Sequence, residues 1–210
     1  TNIITNSGTI KNTSAGRSIN LNGSTGITFE NTGTVESASQ IAFDFNDNTN
    51  PTLKNWGTIK STADNSNVLD FPQTTSPYGS GGTVENYGTI IASTGSSGQA
   101  IRVGDGTATW DNLTIINSGT ISSNWSGLWN GGTITTLTNN GNIKAFSGHY
   151  GLKNVNGTIG TLTNSGTISA SGNYGLYNDG TATITTLKNT GTISSSGNEI
   201  GIYNDSTITT

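Results

Sequence analysis

The pentapeptide NSGTI at residues 6–10 recurs along the whole chain in nearly identical form. Its eight copies begin at Asn6, Asn31, Asn55, Asn86, Asn117, Asn139, Asn164 and Asn189. Successive copies are separated by 25, 24, 31, 31, 22, 25 and 25 residues. A period of this size is typical of stacked structural units, none of which can bury its apolar side chains alone. The repeat therefore decides the fold class.

Apolar and polar residues alternate within each repeat, most clearly in TLTNSGTISASGNYGLYNDGTATITTLK at residues 161–188. Alternation over a few residues predicts short strands that each bury one aliphatic side chain, separated by turns rich in Gly and Asn. Ile184 and Leu187 both fit a buried position, although a strict alternation does not place them on the same face. A bend or a β-bulge is therefore predicted near Thr185 and Thr186.

Three short strands and three turns in about 25 residues form one coil of a parallel β-helix. We predict an all-β, right-handed parallel β-helix of about eight coils, in which residues 1–210 form a single segment. One apolar column is predicted to contain Ile10, Val35, Ile59, Ile90, Ile121, Ile143, Ile168 and Ile193. A second is predicted to contain Ile19, Phe43, Leu69, Ile101, Leu128, Leu152, Leu176 and Ile202.

The recurring Asn explains why the pentapeptide is repeated. Stacked coils place each Asn next to its equivalent, so that side-chain amides form a hydrogen-bonded ladder like those in cross-β structures. The ladder is predicted to include Asn31, Asn55, Asn86, Asn117, Asn139, Asn164 and Asn189. A second ladder is predicted at Asn130, Asn154, Asn178 and Asn204. The sharp corner also predicts left-handed backbone at the Asn and at the Gly two residues later.

Composition excludes several functional classes. Only 10% of the residues are charged, the net charge is −4 and no basic cluster occurs, which argues against nucleic acid as a partner. Cysteine is absent, and His149 is the single histidine, so neither a metal site nor a cofactor is predicted. No apolar run has the roughly 18 residues of a membrane helix. The absence of methionine, even at position 1, predicts that the chain is part of a longer protein or a processed form.

The motifs LTNSGTI at residues 162–168 and GLYN at residues 175–178 resemble those of bacterial autotransporter passenger domains, the type V secreted surface proteins. The resemblance implies a β-helical adhesin or virulence factor at the bacterial cell surface, held at the outer membrane by a separate domain, or secreted. It also implies that the partners are host-cell or bacterial surface glycans or proteins. Lack of cysteine fits export of an unfolded chain. Open end strands further predict self-association or pairing with neighbouring segments.

Two of the spacings are longer than the others, which places extra residues in the third and fourth coils. The first insertion is predicted within residues 71–82 and the second within residues 104–112, where prolines or glycines interrupt the alternation. Both are expected to protrude as loops that present Tyr78 and Trp110. Loops on rigid scaffolds often bind ligands, although an insertion that is merely tolerated has the same sequence pattern.

One outward-facing residue per coil lies beside the second apolar column, giving Asn20, Asp44, Asp70, Arg102, Trp129, Lys153, Tyr177 and Tyr203. Three of these are aromatic, and Trp125 lies near them in sequence. Aromatic rings beside polar groups predict a shallow carbohydrate-binding strip. Surface packing of aromatic side chains on a sheet is the alternative interpretation.

The acidic part of this column suggests a different function. Strand spacing places Asp44 and Asp70 within about 5 Å of each other, a separation that suits the two carboxylates of a retaining glycosidase. A polysaccharide lyase or hydrolase that uses Asp44, Asp70 and Arg102 is therefore the alternative to a non-catalytic adhesin. Arg102 can instead neutralise Asp70 as a simple ion pair, and we favour the non-catalytic function.

Overall fold

A computed structural model describes residues 2–72, 80–92, 97–104, 110–147, 149–197 and 200–209. Over these residues the chain is all-β, with 25 strands and no helix. The strands form three parallel sheets of nine, eight and eight strands. Each coil contributes one strand to each sheet, and equivalent strands pair with those of the preceding and following coils. The predicted parallel β-helix of about eight coils is confirmed.

The first sheet contains the strands that lead into the repeated Asn. Its strands are Asn2–Asn6, Ile27–Asn31, Thr52–Asn55, Thr83–Asn86, Leu113–Asn117, Thr133–Asn139, Thr158–Asn164, Thr183–Asn189 and Thr207–Ile208. All but the last end at a ladder Asn. Because the chain turns immediately afterwards, the Asn side chains line one corner of the solenoid.

The second sheet begins two residues after that corner, at the Thr-Ile pair of the repeat. Its strands are Thr9–Asn12, Thr34–Ser37, Thr58–Ser61, Thr89–Ala92, Thr120–Ser123, Asn142–Ala145, Thr167–Ala170 and Thr192–Ser195. Their register aligns the predicted first apolar column from Ile10 to Ile193. That column is therefore confirmed.

The third sheet carries the second apolar column on its inner face. Its strands are Ile19–Asn20, Phe43–Asp44, Leu69–Phe71, Gln99–Val103, Ser126–Asn130, Tyr150–Val155, Leu176–Asp179 and Ile202–Asn204. Pairing aligns Ile19 through Ile202 as predicted. The inner coils bury this column fully, whereas the end coils leave Ile19 and Ile202 partly exposed.

A β-bulge enters the first sheet where Leu113–Asn117 pairs with Thr133–Asn139. Leu113 aligns with Ile134 and Thr114 aligns with Thr136, so Thr135 is the extra residue. Gly160 and Thr185 occupy the same position in the next two coils, where the pairing again passes over one residue. The irregularity predicted near Thr185 therefore occurs as one unpaired residue on each strand, without a register shift, and Ile184 and Leu187 both pack against the core.

The predicted Asn ladder runs without a break from Asn6 to Asn189. Each side-chain Nδ2 donates to the Oδ1 of the Asn in the following coil, at 2.7–2.8 Å. The same Nδ2 of Asn31 also lies 3.2 Å from the carbonyl oxygen of Gly33. Asn31 through Asn164 are fully buried, so the ladder satisfies polar groups that water cannot reach.

The second ladder stabilises the corner after the third sheet, but only in the C-terminal half. Asn130, Asn154, Asn178 and Asn204 are joined by bonds of 2.7–2.8 Å. In the preceding coil the position of Asn130 is occupied by Val103, which follows Phe71 in register. This corner therefore changes from apolar packing to an amide ladder between the fourth and fifth coils.

The left-handed backbone expected at the corner is wrong. Among the described residues with positive φ there is no Asn of the pentapeptide ladder that runs from Asn6 to Asn189, and none of the Gly residues two positions after those Asn. The Gly is required for a different reason, which Gly141 illustrates. A Cβ atom on Gly141 would lie 2.1 Å from the carbonyl oxygen of Gly119 in the preceding coil. Close stacking of backbones, rather than an unusual φ, excludes a side chain there.

Trp110 belongs to the core, which corrects the prediction that it lies on a protruding loop. It is fully buried at the end of a row of aromatic side chains that runs through Phe29, Phe43, Phe45 and Phe71, with centroid separations of 4.3–5.1 Å. Its indole Nε1 donates to the carbonyl oxygen of Gly81 at 3.0 Å. The indole therefore closes the aromatic row with its one polar atom satisfied.

In the part of the chain that the structure describes, no helix is long and apolar enough to cross a membrane.

Candidate functional site

The third sheet presents one continuous outward column along the solenoid axis. Pairing aligns Asn20, Asp44, Asp70, Arg102, Trp129, Lys153, Tyr177 and Tyr203 in consecutive coils, as the sequence predicted. Three of the four N-terminal residues of the column are charged, and three of the four C-terminal residues are aromatic. The two halves of the column therefore differ in chemistry.

Asp44 and Asp70 are adjacent in register, but they are buried, with exposed fractions of 0% and 2%. Their expected exposure is therefore wrong. The cause is that arginines from other coils lie against them. Arg17 Nε is 2.5 Å from Asp44 Oδ2, and Arg102 makes a bidentate pair with Asp70 through Nε at 2.7 Å and Nη2 at 2.9 Å.

Burial raises the pKa of the Asp44 carboxyl above its ordinary value, although Arg17 partly opposes this shift. The neighbouring Asp70 carboxylate raises the same pKa further. A raised pKa is the property of a general acid. However, a catalytic carboxyl must also reach its substrate, and the Asp44 side chain has no exposed surface.

The aromatic half forms a surface that we call the aromatic strip, defined by Trp125, Trp129, Tyr150, Tyr174, Tyr177 and Tyr203. Tyr177 and Tyr203 are stacked with centroids 5.1 Å apart and ring planes at 11°. Tyr174 lies 5.5 Å from Tyr177 and 4.8 Å from Tyr203, and Tyr150 lies 4.7 Å from Tyr177. Four tyrosine rings thus form one contact network across three coils, and each is partly exposed.

The sequence prediction missed Tyr150, Tyr174 and His149. Tyr150 and Tyr174 both precede a Gly-Leu pair, and they lie 24 residues apart, so alignment of the repeats on YGL would have found them. His149 stacks on Trp125 with a centroid separation of 3.4 Å, and its ring lies 6.1 Å from that of Tyr150. These contacts link Trp125 to the tyrosine cluster.

Charged groups are placed among the rings of the strip. Lys153 Nζ lies 5.0 Å from the ring centroid of Tyr150 and 5.9 Å from that of Tyr177, within the range of cation–π attraction. Burial lowers the pKa of Lys153, and the Asp179 carboxylate partly opposes this effect. Burial also lowers the pKa of His149, with a smaller contribution from Lys153.

Carboxylates lie close to two of the tyrosine hydroxyls of the strip, those of Tyr177 and Tyr203. The Tyr177 hydroxyl donates to Asp179, and this hydrogen bond raises the pKa of Tyr177 well above its ordinary value. The charge of Asp205 raises the pKa of Tyr203. Both phenols therefore stay protonated over the physiological pH range. The strip combines apolar ring faces with phenol and carboxylate groups at their edges, on a rigid sheet.

More than half of each predicted insertion lies outside the described residues. Tyr78 lies outside the described residues, as do positions 73–79 of the first insertion and 105–109 of the second. Across the described ranges no group of three or more His, Cys, Asp or Glu side chains is arranged to hold a metal ion. The third sheet is therefore the surface from which a function can be inferred.

Comparisons with known proteins give no match: no protein-family model, no curated protein and no solved structure matches this sequence. The function proposed below is inferred from the geometry of the third sheet and from the sequence repeats.

Proposed function

We propose that this chain is a non-catalytic binding segment of a bacterial surface protein and that the aromatic strip binds glycans. The observation that carries the proposal is the contact network of four partly exposed tyrosine rings, with Lys153 lying against two of them. Aromatic side chains supply a large contact area at low entropic cost, and the phenol group adds a polar partner.

Glycans suit this surface because a pyranose ring has an apolar C–H face and a polar rim. The ring faces of the strip can stack against the C–H face. The hydroxyls of the sugar can reach the phenols, Asp179 and Lys153 at the edges of the rings. Parallel strands repeat these groups at about 4.8 Å, so a linear glycan can contact several coils at once.

The surface location rests on the sequence. Motifs such as LTNSGTI resemble those of autotransporter passengers, and the chain contains no cysteine. On this basis the protein is an adhesin, at the outer membrane or secreted, that attaches to host or bacterial surfaces and contributes to virulence. The aromatic strip also suits binding to a surface protein or to a second copy of the chain.

The strip is tested by attachment of the purified protein to immobilised oligosaccharides and to whole cells. Tyr177→Ala and Tyr203→Ala are expected to weaken attachment at least about tenfold, since they remove central anchors of the contact surface. Trp56→Ala is the matched control, because Trp56 is a 47% exposed aromatic residue on a different corner, stacked on Tyr87. Attachment that is equal in all three variants would refute a role for the strip.

A polysaccharide-active enzyme that uses Asp44, Asp70 and Arg102 is the second candidate. The raised pKa of Asp44 favours it, and the ion pairs that bury both carboxyls weigh against it. The two functions are separated by measuring the release of reducing ends or unsaturated products from a panel of polysaccharides. Turnover that disappears in Asp44→Asn would support the enzyme, whereas attachment without turnover supports the binding segment.

A further inference from the structure

A polar groove of about 300 Å³ opens beside the charged half of the outward column, away from the cluster of tyrosines. Residues that line it include Gln40, Ile41, Asn65, Asn67, Asp70 and Arg102. They come from three neighbouring coils, so the stacking of the solenoid itself forms the groove. A volume of this size is at the lower end of the range for small-molecule sites.

The charged part of the groove is internally neutralised. Asp70 is 2% exposed, and both of its carboxylate oxygens accept hydrogen bonds from Arg102. A bidentate pair of this kind fixes both side chains and leaves no net charge between them. The groove is therefore suited neither to a simple anion nor to a metal cation, but to a neutral ligand.

The remaining lining groups are mainly side-chain amides. Asn67 Oδ1 accepts a hydrogen bond from the backbone N–H of Gln99 at 3.1 Å, which orients the side chain and leaves its Nδ2 to donate to a ligand. Asn65 Oδ1 accepts a hydrogen bond from the Ser97 hydroxyl at 2.6 Å. Gln40 adds another amide, and Ile41 adds an apolar surface.

We propose that this groove is a second binding site, separate from the tyrosine cluster, and that it holds one neutral pyranose ring. The amides match the mixed donors and acceptors of sugar hydroxyls, Ile41 matches the C–H face, and the volume accommodates a single ring. The inference does not depend on the function of the strip.

The position of the groove also indicates how a longer glycan would lie. Arg102 is the direct register neighbour of Trp129, which is the nearest residue of the aromatic strip along the column. A ring held in the groove is thus one coil from the strip. The same chemistry fits a free monosaccharide and the terminal residue of a chain, and these two sources can be separated by experiment.

The test uses saturation-transfer NMR and calorimetric titration with the methyl glycosides of glucose, galactose, mannose and N-acetylglucosamine. At least one of them is expected to bind saturably with a millimolar Kd. Glucuronic acid is the charged comparison and is expected to bind more weakly than methyl glucoside. A linear hexasaccharide of the preferred sugar distinguishes the sources: tighter binding than the monosaccharide indicates a chain end, and equal binding indicates a free sugar.

Asn67→Ala and Gln40→Ala test the site without breaking the buried ion pair. Each is expected to weaken binding of the preferred methyl glycoside about three- to tenfold, as for the loss of one hydrogen bond. Asn140→Ala is the control, because it removes an exposed amide at a distant corner. Absence of saturable binding by all four glycosides would overturn the proposal. Binding that is unchanged in both groove variants, or lost only in Tyr177→Ala, would overturn it as well.

Discussion

Asn86 and Asn117 are joined by a 2.8 Å side-chain hydrogen bond although 31 residues separate them. The corresponding bond between Asn117 and Asn139 spans only 22 residues and measures 2.7 Å. Coils of very different length therefore meet at the same corner with the same geometry. The ladder fixes the register of the solenoid, and any extra residues leave the coil elsewhere.

Replacement of Asn164 by Leu is expected to destabilise the fold by about 1–3 kcal/mol, because it removes the ladder acceptor of the buried Asn139 side-chain amide. Asn139 donates to Asn164, and Asn164 donates to Asn189, at 2.7 Å in both cases. Chemical denaturation monitored by circular dichroism provides the measurement. Asn189→Leu is the control. It should lower the free energy of unfolding by less, since Asn189 is exposed at the end of the ladder. Equal losses of unfolding free energy in the two variants would contradict a stabilising role for the buried ladder.

Replacement of Gly141 by Ala is expected to destabilise the stack by about 1–3 kcal/mol, as overpacking does in a close-packed core. The added Cβ would lie 2.1 Å from the carbonyl oxygen of Gly119, so the coils must move apart. Gly8→Ala provides a matched control at the equivalent position of the first coil, where a Cβ would meet nothing within 4 Å. Thermal melts of both variants test this directly, and a Gly8→Ala variant as unstable as Gly141→Ala would show that contact is not the cause.

The register of this fold could be predicted from sequence because each coil carries its own marker, the Asn of the repeated pentapeptide. Once those Asn residues are aligned, Tyr177 and Tyr203 must be neighbours, as their register shows. Alternation alone also placed Asp44 and Asp70 correctly in one column. Alignment of the repeats therefore predicts which residues are paired between neighbouring strands.

Burial on the outer face could not be predicted, since it depends on long side chains that cross between coils. The pairing of Arg102 with Asp70 follows from their adjacent positions in the column, as the sequence indicated. Arg17 lies outside that column, so its contact with Asp44 could not be predicted from the repeat. The burial of Trp110 could not be predicted either. The spacing of two repeats shows that residues are inserted, but it does not show at which residue the insertion ends. The groove arises from residues of three coils, and no single repeat contains its pattern.

Replacement of Asp44 by Asn is expected to raise the melting temperature at pH 7. Burial raises the pKa of Asp44 in the folded protein, so the folded state binds this proton more tightly than the unfolded state does. Protonated Asp44 therefore makes its full contribution to the free energy of unfolding below the unfolded pKa of about 4. This contribution is lost as the pH rises through the pKa of the folded state. At neutral pH the buried charge is a penalty that the neutral amide avoids.

Melting curves recorded from pH 3 to pH 8 test this linkage. The advantage of Asp44→Asn should be present at pH 7 and should shrink toward zero below about pH 4, where Asp44 itself is protonated. Loss of the ion pair with Arg17 opposes the gain in stability of Asp44→Asn. The Arg17 side chain is 42% exposed, however, so water can solvate its charge once the pair is lost. Asp64→Asn is the control, because it makes the same substitution at an exposed carboxyl. A variant at Asp44 that is less stable than the parent at pH 7 would mean that attraction to Arg17 outweighs the cost of burial.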